Sequence, residues 1–190
     1  MIRIGILASG NGSNAVNFIN YFREDPNISV AKIYTNNPSA GVITKAFALN
    51  VPVHVFSRRQ LKEGSVTDQL KQDQIDCVVL AGFLWLVPSN MIEAFPERII
   101  NIHPALLPNY GGKGMYGMRV HEAVVDNGEK ESGITIHLVD EQYDHGDHLF
   151  QARTPVESND SPEDVATKIH ALEHKHFPEV VKDYLMGEGS

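Results

Sequence analysis

The chain carries one cysteine and one tryptophan in 190 residues, and its 24 acidic side chains outnumber 16 basic ones. A lone Cys77 cannot close an internal disulfide, so the core alone must hold the fold, and a reducing compartment is expected. Its setting, Ile75-Asp76-Cys77-Val78-Val79-Leu80-Ala81, reads as a buried strand, because a nucleophilic thiolate needs an accessible, electropositive site. The net charge of -8 argues against DNA, tRNA or an acidic membrane as partner, since phosphates are neutralised by basic surface. One small phosphorylated ligand is still allowed, because a single helix N-terminus can hold it. No apolar run approaches the length of a membrane span, and Met1–Ala8 is short for the hydrophobic region of a secretion signal. A soluble, cytoplasmic protein is the expectation.

What is present is the composition of an ordinary globular chain, 42% hydrophobic and 21% charged. This length buries roughly 70% of the surface of its unfolded form, and a single domain over 1–190 is expected. Strand-length apolar runs at 2–8, Ile28–Thr35, Val51–Phe56, Ile75–Ala81 and Arg98–Ile102 alternate with helical-period segments at 14–24, 40–50 and 58–73. That alternation predicts an α/β fold, a doubly wound and mostly parallel sheet with helices on both faces. Gly133–Val139 and His148–Val156, joined through Asp144-His145-Gly146-Asp147, predict an antiparallel C-terminal addition. Ser161-Pro162-Glu163-Asp164 has the N-cap, proline and early acids that start a long closing helix over about 161–185.

Between the first strand and first helix lies Ser9-Gly10-Asn11-Gly12-Ser13-Asn14-Ala15. Gly10 and Gly12 allow close backbone approach, and Ser13 and Asn14 offer donors beside a helix N-terminus, where phosphate is the natural guest. The spacing also fits G-x-G-x-x-A, but a dinucleotide site wants an acid at the end of the second strand, and Tyr34-Thr35-Asn36-Asn37 has none. A monophosphate is preferred.

Nine histidines raise the question of metal. His170-Ala171-Leu172-Glu173-His174 fits the zinc spacing H-x-x-E-H, yet only Glu179, Asp183 and Glu188 follow as a third ligand, and no metal site is expected. Asn101-Ile102-His103-Pro104 is different. An amide and an imidazole two residues apart share one side of an extended segment, and Pro104 holds His103 at the strand's carboxyl end, where α/β enzymes keep their chemistry. With Asp144 from the later loop they would form an oxyanion donor, a proton carrier and a charge-setting carboxylate, a set suited to acyl transfer to an amine. The Gly-rich stretch Asn109–Gly117 reads as a mobile lid over such a site.

With these residues in view the chain resembles the phosphoribosylglycinamide formyltransferases, through Ser9–Asn14, Leu80-Ala81-Gly82-Phe83, Asn101–Pro108, Asp140–Asp144 and Glu173-His174. The Asn-x-His element belongs to formyltetrahydrofolate enzymes at large, and the Ser-Gly-Asn-Gly-Ser-Asn loop to the ribonucleotide enzyme. The resemblance implies formyl transfer from 10-formyltetrahydrofolate, a co-substrate, to the amine of glycinamide ribonucleotide (GAR) in purine synthesis. It implies that Asn101, a protonated His103 and Asp144 are catalytic. Gly12, Ser13, Asn14, Pro104 and Glu173 would bind GAR, with Glu173 on the ribose hydroxyls. Phe83, Leu84, Trp85, Leu86, Val87, Asp140 and Glu141 would border the folate. His121 and His137 lie near the site in the family pattern. A phosphate-side arginine is also implied, either Arg58 or Arg59.

Relatives often carry a basic residue where Trp85 stands, and a proline where Asp147 stands, which predicts altered folate-tail contacts and a looser turn. Partners would be small molecules only, with the chain a monomer or homodimer. Two related readings are a formyltetrahydrofolate hydrolase and a methionyl-tRNA formyltransferase. The first is expected with an N-terminal regulatory domain, the second with a C-terminal RNA-binding domain and a basic surface. A third is a non-catalytic sensor of sugar phosphates, which would bind at Gly12–Asn14 without needing His103.

Overall fold

A computed structural model describes residues 1–187. The strand order is β3-β2-β1-β4-β5-β6-β7 in one seven-stranded sheet. The chain clusters into two compact units, Met1–Asn101 and the residues from Ile102 onward.

In the first unit, strands β1 (Ile2–Leu7), β2 (Ile28–Thr35), β3 (Val53–Val55), β4 (Cys77–Leu80) and the start of β5 (Ile99–His103), whose last two residues belong to the second unit, pair in parallel. The connecting helices are α1 (Ser13–Tyr21), α2 (Gly41–Ala48), α3 (Arg58–Glu63), α4 (Ser65–Gln72) and α5 (Ser89–Ala94). Ile4, Ile6, Ile33, Val78, Val79 and Ile100 are fully buried, as sheet residues covered on both faces must be. Complete burial pushes the Cys77 thiol up to about 12, so it stays protonated and unreactive.

The stretch expected as one helix over 58–73 is two. Gly64 adopts a left-handed φ of 90° that ends α3, which Ser57 and Gln60 start with a reciprocal capping box. The six-residue α5 escaped the sequence reading because so short an element shows too few turns for periodicity to register.

Asp73, just past α4, accepts from Tyr34 Oη at 2.6 Å and Lys32 Nζ at 2.8 Å, tying β2 to that helix end. Asp73→Ala leaves a buried phenol and an amine without their acceptor and is expected to cost about 1–3 kcal/mol. A urea midpoint unchanged from wild type would contradict this.

The second unit holds α6 (Met118–Asp126), β6 (Glu131–Leu138), β7 (His148–Pro155) and α7 (Pro162–Met186). β6 and β7 form the expected antiparallel pair, in which a Cβ at Gly133 would sit 2.0 Å from the Ala152 carbonyl oxygen. Glycine there permits the close approach. α6 was also unforeseen: it follows directly on the Gly-rich stretch and begins on Gly117 with no side-chain cap. α7 starts with a Ser161/Asp164 capping box and Pro162, and buries Val165, Ile169, Glu173, Phe177 and Val181 at every fourth position. Glu173 is the one charged residue in that stripe. No helix among the described residues is long and apolar enough to cross a membrane.

Candidate active site

In the first unit, Gly12 caps α1 with a left-handed φ of 76°, and no acidic side chain lies in the first turn. The open N–H groups of that turn carry the positive end of the helix dipole, and an acid there would compete with an anion. Lys45 Nζ donates to Asn11 Oδ1 at 2.7 Å, which brings an ammonium to the same loop. A methyl group on Gly12 would come within 2.4 Å of Val42 Cγ2.

Leu84 N donates to Ser9 Oγ at 3.1 Å, so the segment after β4 abuts this loop. Phe83 and Trp85 pack with Phe56 at ring separations of 6.1 to 6.3 Å, and Val87 is buried, whereas Leu84 and Leu86 face outward. The five-residue apolar run is thus half packing and half open surface. The two arginines separate clearly. Arg59 pairs with Glu63 one turn along α3, while the Arg58 guanidinium stacks 5.0 Å from the Trp85 ring centroid. Neither contact directs an arginine at the glycine loop.

Asn101 and His103 are alternate residues of β5, with Ile102 buried between them. His103 is the last residue of β5, as expected, and is only 4% exposed. In the second unit its Nδ1 lies 3.4 Å from Asp144 Oδ2, and its Nε2 donates to the Tyr110 carbonyl at 2.7 Å. Asp144 sits in the loop after β6 with a φ of 54°, a conformation that Asp and Asn adopt more readily than other side chains. Its Oδ2 also accepts from Gly112 N at 2.9 Å, and its Oδ1 lies 3.7 Å from His137 Nε2. His137 donates from Nδ1 to the Leu138 carbonyl at 2.8 Å. Asp144 therefore stands between two buried imidazoles and under one lid amide.

The electrostatics qualify the expectation of a protonated His103. Burial lowers its pKa below the ordinary imidazole value and outweighs the opposing pull of Asp144 and the Tyr110 carbonyl. That shift favours the neutral ring, against the pull of the carboxylate toward an imidazolium. For Asp144, burial acts to raise the pKa, but the His137 and His103 imidazoles and the Gly112 amide together hold it below the usual carboxylate value. It is ionised.

Asp140 accepts from Gln142 N and from His145 Nδ1, which folds the start of the loop, and Glu141 is exposed. The turn is closed despite Asp147: its carbonyl accepts from Leu138 N at 2.9 Å, and a Cβ at Gly146 would sit 1.9 Å from the Leu138 oxygen. Glu173 is 5% exposed and takes His170 Nδ1 at 2.9 Å, a bond that raises the His170 pKa. The zinc-like spacing is thus used within the helix. Among the described residues no group of three or more His, Cys, Asp or Glu is placed to hold a metal; Glu188 lies outside them. His121 is buried with Nδ1 lacking a hydrogen-bond partner, and burial lowers its pKa. Pro104 is half-buried directly after β5.

Sequence reasoning missed the Tyr110 carbonyl and the Gly112 amide as groups of the site, because backbone atoms leave no residue-type signature. His137 was open between structural and functional readings. Its alternation in β6 showed only that it pointed inward.

The profile of the family described as formyl transferase matches residues 2–181. The chloroplastic phosphoribosylglycinamide formyltransferase of Arabidopsis thaliana is 41% identical over 94% of this chain and 64% of its own length. This chain thus spans under two thirds of that relative, and 60% of a similar one from Vigna unguiculata. The phosphoribosylglycinamide formyltransferase of Bacillus subtilis is 32% identical, over 97% of this chain and 95% of that one. A crystal structure of the protein of that name from Bacillus halodurans superposes with a TM-score of 0.88 at 35% identity, covering 96% and 95% of the two chains. With a matching family profile, near full-length relatives and the same fold, this chain belongs to the formyl transferase family.

Proposed function

We propose that this chain, acting as one formyltransferase domain, transfers the formyl group of 10-formyltetrahydrofolate to the amine of GAR, giving formyl-GAR and tetrahydrofolate in purine synthesis. The observation that carries this reading is the buried His103–Asp144 pair at the end of the strand that also bears Asn101. The amine nitrogen attacks the formyl carbon, and the carbonyl oxygen becomes an oxyanion. Asn101 donates to that oxygen. Neutral His103 takes the proton the amine loses, and Asp144 stabilises the imidazolium so formed. As the oxyanion collapses, the bond from carbon to the folate nitrogen breaks and the proton passes to that nitrogen. One proton leaves the amine and one reaches the folate, so the count closes.

Gly12, Ser13 and Asn14 hold the phosphate of GAR, with Lys45 adding positive charge, and Glu173 and Pro104 border its ribose. Phe83, Leu84, Trp85, Leu86 and Val87, with Asp140 and Glu141, border the folate. The reaction needs no metal. The chain works in the cytoplasm as a monomer or homodimer on small molecules alone.

The test is the purified chain with GAR and 10-formyltetrahydrofolate, following tetrahydrofolate release. Release that requires both substrates supports the transferase. Release without GAR makes the protein a hydrolase, and GAR binding without turnover makes it a sensor.

Gly12→Ala forces a side chain into left-handed backbone and against Val42. KM for GAR is expected to rise about 10-fold or more, with KM for the folate little changed. An unaltered KM for GAR would remove the loop from the phosphate site.

A further inference from the structure

We propose that Tyr110 is a positioning residue for His103, its side chain clamped so that its backbone carbonyl fixes the imidazole and leaves Nδ1 as the proton-carrying nitrogen. This inference rests on the reading of His103 as the proton carrier. Tyr110 has a φ of 55°, a left-handed conformation uncommon outside glycine and costly for a bulky residue, and strain of this kind needs support from its surroundings. The support is visible. Tyr110 Oη donates to Glu129 Oε1 at 2.6 Å and accepts from Asn127 Nδ2 at 2.9 Å. Both partners lie in the turn between α6 and β6. That turn is itself held by hydrogen bonds from Asn127 N, Gly128 N and Glu129 N to the last carbonyls of α6. Tyr110 also lines a small cleft with Leu106, Asn109, Val124 and Glu129. The two hydrogen bonds hold its hydroxyl at the edge of that cleft.

At the other end of the residue, the carbonyl accepts from His103 Nε2 at 2.7 Å. A carbonyl oxygen only accepts, so the Nε2 proton is fixed there, and the neutral ring keeps a bare Nδ1 facing Asp144. In this tautomer the proton from the amine is taken at Nδ1, beside Asp144. The ionisable groups acting on His103 are Asp144 from the loop after β6, His137 from β6, Glu173 from α7 and His121 from α6. None of them fixes Nε2. Only the clamped carbonyl does so among the described contacts.

Tyr110→Phe keeps the ring and removes both clamp bonds. It is expected to lower kcat about 3- to 10-fold while leaving KM for either substrate within about 2-fold. The His103 titration, followed by NMR of the imidazole nitrogens, moves to lower pH, because a loosened carbonyl no longer favours the charged ring. Glu129→Ala reproduces these effects and adds nothing to Tyr110→Phe in the double variant. Glu129→Gln, which retains an acceptor, restores near wild-type values. An unchanged His103 titration in Tyr110→Phe overturns the proposal whatever the rate does, as does full additivity of the two substitutions. A failure of the underlying reading looks different: turnover would persist without an imidazole at position 103, while the titration still responded to Tyr110.

Discussion

Formyl transfer is expected to fall about 10³-fold when His103 is replaced by alanine, within the range for removing a positioned general acid–base group. Because His103 is buried, the truncation leaves a cavity, and His103→Gln, closer in size, serves as the companion variant. Both should lose turnover alike, though Gln keeps more stability. The pH dependence supplies the sharper test. Burial places the His103 pKa below the ordinary imidazole value, and the neutral ring is the form that accepts a proton. In wild type, kcat/KM should therefore rise with pH through a midpoint below about 6.5, and that limb should vanish in His103→Gln. Full activity in His103→Ala would refute the mechanism.

Asp144→Asn is expected to lower turnover about 10²- to 10³-fold with only a small loss of melting temperature. Asparagine keeps an acceptor for Gly112 N and tolerates the left-handed backbone at this position, so the substitution isolates the charge. Asp144 raises the His103 pKa, so without its charge the rising limb of the rate profile should move to still lower pH. The stability effect has a definite sign. The folded-state pKa of Asp144 is depressed, so its contribution is present above the ordinary carboxylate value of about 4 and is lost as pH falls through the lower, folded value. Wild type and variant should converge in stability below that range. A large melting-temperature loss at neutral pH would instead make Asp144 chiefly a structural residue.

These two results would also separate the roles of the neighbouring groups. His137 lies nearest the other oxygen of Asp144, and Gly112 N donates to the same carboxylate from the lid. The stretch Asn109–Gly117, expected as a mobile cover, thus has its first residues tied to the reacting pair through Tyr110 and Gly112. The glycines at 112, 114 and 117 have positive φ and supply the bends.

Much of the fold was legible in the residues themselves. Continuous apolar runs ending in Gly, Asn or Pro identified β1, β2, β4 and β5, and Ser161-Pro162 identified the start of α7, because those signals are local. The same holds for Gly12-Ser13-Asn14, whose glycine at positive φ and helix start follow from neighbours in sequence. Periodicity had less to say where elements are short, as in α5, or where one glycine divides a helical run, as at Gly64.

By itself the sequence determined an α/β sheet, a glycine loop at the first helix, and an amide and an imidazole on alternate positions of β5. Each depends on spacing along one strand or one turn. Only the tertiary structure decided that His103 and His137 share one carboxylate, that burial lowers the His103 pKa, and that a tyrosine carbonyl holds its Nε2. Burial and through-space charge set a pKa, and both are sums over atoms that chain folding brings together from distant positions. No local pattern of residue types encodes that sum.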